Sequence, residues 1–266
     1  MELDEIYEPV KDYLALTEQR FALLLDGFSD PEAREVLEHF LSNPGKRIRP
    51  ALLYFSAFAA NPAAASGNLK SALLDAGTAF ELVHSASLVH DDIIDESPLR
   101  RGRPTVNGRF GNSAAVLAGD ILYAAAFRLM AVDVAMFHVI LDVTREMCIG
   151  EIFQLRSGKL DEEAYLKIIG SKTARLMAAC CEIGGRIVQA HPDIVDALKS
   201  GGENLGYLYQ IVDDYCDGDA DVPSFDFRMA IIKYRQAADM HFSRLPESPF
   251  RRSLLAFTAS IADLAK

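Results

Sequence analysis

Residues 88–105 read LVHDDIIDESPLRRGRPT. Asp91, Asp92 and Asp95 stand there at i, i+1 and i+4, after the apolar run ELVHSASLVH and before Arg100, Arg101 and Arg103. On an α-helix, residues four apart share a face, with Cβ atoms about 5–6 Å apart. Asp91 and Asp95 therefore line up, and Asp92 lies about 100° round the axis. A second stretch, YQIVDDYCDGD at 209–219, repeats the spacing with Asp213, Asp214 and Asp217 after NLGYLYQIV. Each triplet ends a long apolar helix, so two neighbouring helices would point both into one cavity.

Helical periodicity extends outward from these stretches over nearly the whole chain, and convincing alternating strands are absent. The spacing predicts helices near 3–26, 31–42, 48–60, 68–96, 113–130, 132–157, 161–189, 193–217, 226–244 and 248–264. Gly, Pro and Asn supply the breaks, as at Asn43-Pro44-Gly45 and His191-Pro192. No composition shift divides the 266 residues, so the expectation is one all-α domain over 1–266. A chain of this size buries roughly 75% of its unfolded surface, enough for a single core.

Charge and composition exclude several classes. A formal net charge of −11 argues against nucleic acid as partner. Cys148, Cys180, Cys181 and Cys216 show no metal-site or secreted-framework spacing, and read as reduced thiols of a cytoplasmic protein. The acidic start MELDEIYEPVKDY suits neither a signal nor a transit peptide. The most apolar region, from Ala114 onward, is interrupted by Asp120, Arg128 and Asp133, and reads as buried helix rather than a membrane span.

Either triplet alone would equally suit a solvated helix end. Both follow strongly apolar helix, however, and carboxylates near the negative end of a helix repel one another. In a cleft they must protonate or take up cations. Carboxylates one turn apart, joined by substrate phosphate oxygens, suit Mg²⁺. Zinc is disfavoured because no His/Cys cluster accompanies them. GKRIRP at 45–50 places Lys46, Arg47 and Arg49 near a helix start, where anions bind well. Two diphosphate sites are the expectation, one held through metal and one held directly by basic side chains.

The ordered series GKRIRP, ELVHSASLVHDDIIDESPLRRGRPTVN, VLAGDILYAAAF, GEIFQL, SKTARL and YQIVDDYCDGD, over about residues 40–219, resembles the all-trans isoprenyl diphosphate synthases of the polyprenyl synthetase family. The resemblance implies the isoprenoid synthase fold, a helical bundle around a central hydrophobic cavity, usually as a homodimer. It implies Mg²⁺ on Asp91, Asp92, Asp95, Asp213, Asp214 and Asp217, holding an allylic prenyl diphosphate that Arg100 and Lys172 also touch. Lys46, Arg49, His84 and Arg101 match positions that hold isopentenyl diphosphate. Lys172, Thr173 and Gln210 match positions at the reacting end of the allylic substrate. The implied activity is trans-prenyl transfer, in which the allylic diphosphate ionises and isopentenyl diphosphate attacks through its double bond.

The growing chain should run down the helix from Asp91, past the small Ala86 and Ser87 towards Phe80, about 16 Å below. Phe127 and Met130 are further candidates for the floor. The local text looks most like the long-chain members, so a product of C20 or longer is expected. After Asp217 the chain departs from the family pattern: no lysine appears until Lys233, and a basic segment is missing. An omitted segment, a natural short variant with weakened catalysis, and a non-catalytic prenyl-diphosphate-binding subunit of a heteromeric synthase all stay open. A terpene cyclase and a helical scaffold are the remoter readings, and GKRIRP speaks against the cyclase.

Overall fold

The computed structural model describes residues 3–43, 45–218, 222 and 225–265. Pro44 and most of the segment following Gly218, where the resemblance breaks, lie outside the described residues. The helices are, in chain order, α1 (Leu3–Tyr7), α2 (Lys11–Asp26), α3 (Pro31–Leu41), α4 (Ile48–Ala60) and α5 (Lys70–Ile94). Then come α6 (Val106–Phe110), α7 (Asn112–Met130), α8 (Val134–Arg156), α9 (Glu162–Ile169) and α10 (Arg175–Ile187). The series closes with α11 (Pro192–Asp217), α12 (Phe227–Phe242) and α13 (Pro249–Asp263). The all-α expectation holds.

α5 is apolar on nearly every face from Leu73 to Val89, the pattern of a helix surrounded by protein. It packs on α4 and α7, and α4 in turn packs on α10 and α13. α10 and α12 flank α11, so the two helices that carry the aspartate triplets stand within one bundle. Buried apolar residues of these helices form a continuous cluster that runs from Ile6 to Ala262.

Three departures from the expected elements have local causes. First, the helix expected over 3–26 is divided by a 3₁₀ turn at Glu8–Val10, where Pro9 removes an amide donor. Second, α5 stops within the first triplet, at Ile94, with Asp95 as its C-cap residue. Ser97 N–H bonds Asp92 O at 2.9 Å and Glu96 N–H bonds Ile93 O at 3.2 Å, around Glu96 in the left-handed region at φ 50°. That is the Schellman closure with a glutamate in the place glycine usually takes. A two-stranded hairpin follows, with β1 (Leu99–Arg100) antiparallel to β2 (Arg103–Pro104). Arg101 and Gly102, both at positive φ, make its turn. Strands of two residues carry no alternation to read.

Third, the helix expected over 161–189 is three pieces, because a π-helical stretch at Gly170–Ala174 separates α9 from α10. α11 presses against this stretch at Gly206, where a Cβ would lie 2.4 Å from Ala174 Cα. Only glycine permits that approach. By length and composition, α7 is the one helix among the described residues apolar enough to cross a membrane. Its Ala115, Ala118, Leu122, Ala126 and Met130 side is buried within the bundle.

Candidate active site

A cavity of about 840 Å³ opens between the ends of α5 and α11. Asp91, Asp95, Asp213 and Asp214 line it, together with Lys46, Arg49, His84, Arg100, Arg101, Lys172, Thr173 and Gln210. One space therefore holds side chains from both triplets and from the GKRIRP loop, hairpin and π-helical stretch.

Within each triplet the middle carboxylate is used differently from its neighbours. Asp92 is 3% exposed and does not line the main cavity. Its Oδ1 accepts from Arg100 Nε at 2.9 Å and Nη2 at 2.8 Å. Asp214 accepts from the Tyr165 hydroxyl on Oδ2 at 2.6 Å and from Gln210 Nε2 on Oδ1 at 2.9 Å. Asp91 and Asp95, one turn apart, face the cavity. Asp213 lies at the mouth, and Asp217 is exposed at the helix end without lining it. Of the six expected metal ligands, Asp92 and Asp214 thus carry protein donors, and Asp91, Asp95, Asp213 and Asp217 have none of these contacts.

Electrostatics mark the free carboxylates. Burial pushes Asp91 up to about 6, with Glu151 and Asp95 adding to the effect and Lys172 opposing it. Asp213 is also raised, by burial and then by Asp217 and Asp214, with Lys46 opposing. Carboxylates held in this way gain from a cation. Among the described residues no three His, Cys, Asp or Glu side chains converge into a closed cage. Facing pairs of carboxylates suit a hard cation such as Mg²⁺, which keeps waters and takes phosphate oxygens.

The basic wall is divided in the same fashion. Arg47 sits at φ 53° just before α4, and its guanidinium is taken by Glu18 and by Glu81, the latter at 3.0 Å. Arg47 is therefore part of the scaffold and not a free anion binder. Arg49 is buried at 9% exposure, and its Nε has no hydrogen-bond partner among the described residues. Such a guanidinium lining a cavity is a ready anion site. Arg101 lies over Gly45, where a Cβ would come within 3.3 Å of it. His84 is held well below the ordinary imidazole value by burial and then by Arg49, Arg100, Arg101 and Arg47. It is neutral at pH 7 and carries a single ring N–H.

On the cavity wall, Thr173 Oγ1 donates to Gln210 Oε1 at 2.9 Å, joining the π-helical stretch to α11. Lys172 Nζ donates to Gln154 Oε1 at 3.0 Å and pairs with Glu151. Of the expected chain-length residues, Ser87 lines the cavity, while Ala86 and Phe80 are fully buried in the core and do not. The apolar wall is made by Tyr123, Met147, Ile152, Leu155 and Ile168 instead. Phe127 stacks behind Tyr123 at 6.0 Å, and Met130 is buried in the core. Glu151, Gln154, Tyr165 and Tyr123 were not singled out from the sequence. Glu151 and Gln154 stand in GEIFQL, three apart on one helix face, which was their available signal.

The sequence profile of the polyprenyl synthetase family matches residues 30–225. Octaprenyl diphosphate synthase of Escherichia coli is 36% identical over 188 residues, which is 69% of this chain and 56% of that protein. All-trans-nonaprenyl-diphosphate synthase (geranyl-diphosphate specific) of Rhodobacter capsulatus is 37% identical over 223 residues, 79% of this chain and 66% of that one. The chain thus spans between about half and two thirds of the length of these curated relatives. The crystal structure of a decaprenyl diphosphate synthase from Rhodobacter capsulatus superposes over the whole of both chains with a TM-score of 0.90 at 25% identity. With the profile covering most of its length, the chain belongs to the polyprenyl synthetase family.

Proposed function

We propose that this protein is a Mg²⁺-dependent trans-prenyltransferase. It condenses isopentenyl diphosphate with an allylic diphosphate to give an all-trans polyprenyl diphosphate of C20 or longer. The observation that carries this reading is the single cavity of about 840 Å³ in which acidic helix ends face a basic wall above an apolar one. Asp91, Asp95, Asp213 and Asp217 would hold Mg²⁺, which supplies neutralisation of the allylic diphosphate so that it can leave.

The chain's own residues account for the rest. Arg100 and Lys172 bind the allylic diphosphate, Lys172 keeping one ammonium N–H beyond those on Glu151 and Gln154. Lys46, Arg49, His84 and Arg101 hold isopentenyl diphosphate from the opposite wall. Thr173 and Gln210 place oxygen dipoles beside the carbon that becomes positive. The departing diphosphate takes the final proton. Tyr123, Met147, Ile152 and Leu155 receive the apolar chain.

The described residues read as one domain. Free thiols at all four cysteines support a cytoplasmic setting. A homodimer is supported by exposed apolar side chains on α7 and α8, among them Val116, Leu117 and Ile149. The transfer itself is tested by incorporation of labelled isopentenyl diphosphate into apolar product with farnesyl diphosphate, with and without Mg²⁺. Incorporation that requires Mg²⁺ supports the enzyme. Its absence, with a Mg²⁺-dependent thermal shift on a prenyl diphosphate analogue retained, supports a non-catalytic subunit. One observation favours that second reading: Lys233, the first lysine after Asp217, is exposed on α12 and does not line the cavity.

A further inference from the structure

Tyr165 belongs to none of the binding sets above, yet it is 3% exposed and directs its hydroxyl to the second aspartate triplet. From α9 it donates to Asp214 Oδ2 at 2.6 Å, while Gln210 donates to the other carboxylate oxygen at 2.9 Å and Thr173 donates to Gln210 at 2.9 Å. This is a directed chain. Tyr165 and Gln210 both give protons to Asp214, so the Gln210 amide has its nitrogen on the carboxylate and its oxygen on Thr173. With the nitrogen fixed, the amide cannot flip and present N–H₂ to the cavity.

The ring of Tyr165 is set by the segment that departs from the family pattern. Phe225 meets it edge-on with centroids 4.9 Å apart, and Phe227 lies at 5.9 Å. Phe225 and Phe227 are themselves edge-to-face at 4.8 Å, and Phe227 also reaches Tyr215 on α11 at 6.1 Å. Asp226, between them, caps α12 by accepting from Met229 N–H at 3.0 Å, which fixes where both rings emerge. Aromatic pairs of this geometry contribute beyond simple burial.

We propose that Tyr165 is a positioning residue for Gln210, acting through Asp214, and that Phe225 and Phe227 hold it in place. This rests on the transferase reading, and assigns Asp214 to orienting Gln210 rather than to metal. Phe225 and Phe227 then form an aromatic clamp on the Tyr165 ring.

The test uses the full chain with its five glutamines labelled with ¹⁵N, and the Gln210 side-chain amide pair identified by its loss in Gln210→Leu. Tyr165→Phe keeps the ring and removes the hydroxyl. The expected result is a shifted or broadened Gln210 pair, with the Gln19, Gln189 and Gln236 pairs unmoved. kcat should fall roughly ten- to a hundredfold, the size of one hydrogen bond to a charged group, with KM for isopentenyl diphosphate unchanged. Phe225→Leu combined with Phe227→Leu should shift the same pair, and adding Tyr165→Phe to these should cost less than the product of the separate losses. Unchanged Gln210 signals in Tyr165→Phe would overturn the proposal, as would wild-type kcat in an active wild-type background. Equal loss of KM for both substrates would also overturn it, since that marks general loosening. If wild-type protein shows no turnover, the transferase reading falls and the amide signals alone decide the positioning claim.

Discussion

Asp91 and Asp92 are adjacent in sequence and opposite in consequence. Asp92 is buried with Arg100 on its carboxylate, so Asp92→Ala leaves a half-buried guanidinium unpaired. A loss of about 2–3 kcal/mol is expected, read from urea unfolding. Asp91 has its carboxylate pushed up to about 6 by burial, so its charge costs the fold. Asp91→Ala should leave stability unchanged or raise it by about 1 kcal/mol while abolishing Mg²⁺-dependent incorporation. Equal destabilisation by both variants would contradict the division of roles within the triplet. His84 offers a pH test. Its folded-state value lies below the unfolded value of about 6.5, so its contribution is intact above that pH and lost as pH falls below it. The urea midpoint of wild type should therefore fall more between pH 7.5 and 5.5 than that of His84→Gln. Parallel profiles would show that His84 does not titrate differently on folding.

At the scale of elements, the closure of α5 and the π-helical stretch set the geometry of the site. Glu96 occupies a left-handed position that costs a non-glycine residue about 1 kcal/mol. Glu96→Gly should stabilise by roughly 0.5–1 kcal/mol in urea titration; a loss would contradict the Schellman closure. Gly206→Ala drives a methyl against Ala174 and should separate α11 from the stretch that carries Thr173. Destabilisation of about 1–3 kcal/mol is expected, with a loss of turnover that exceeds the change in stability. The long helices and both aspartate faces were legible, because period 3.6 persists through ELVHSASLVHDDIID and NLGYLYQIVDDYCD. The π-helical stretch was not, since nothing in the spacing of GSKTA marks a widened turn, and its contact with Gly206 lies over thirty residues away. Tyr165 stayed hidden for a related reason. A tyrosine on an apolar helix reads as core, and its partner Asp214 is 49 residues away. The expected tunnel follows spacing along one helix, past Ala86 towards Phe80; lining residues from other helices, such as Tyr123 on α7 and Ile152 on α8, carry no such spacing signal.

Across the whole molecule, the bundle brings two acidic helix ends, a basic wall and apolar side chains into one space. Net charge of −11 does not preclude anion binding here, because Lys46, Arg49, Arg100, Arg101 and Lys172 line the cavity together. The central claim is chain elongation, and sizing the products tests it most directly. Purified protein is incubated with Mg²⁺, isopentenyl diphosphate and farnesyl diphosphate, and the dephosphorylated prenyl alcohols are resolved by length. The account predicts all-trans products of C20 or longer that vanish with chelation of Mg²⁺. Farnesyl diphosphate returned unextended would contradict it, as would a C15 end product from a geranyl diphosphate starter.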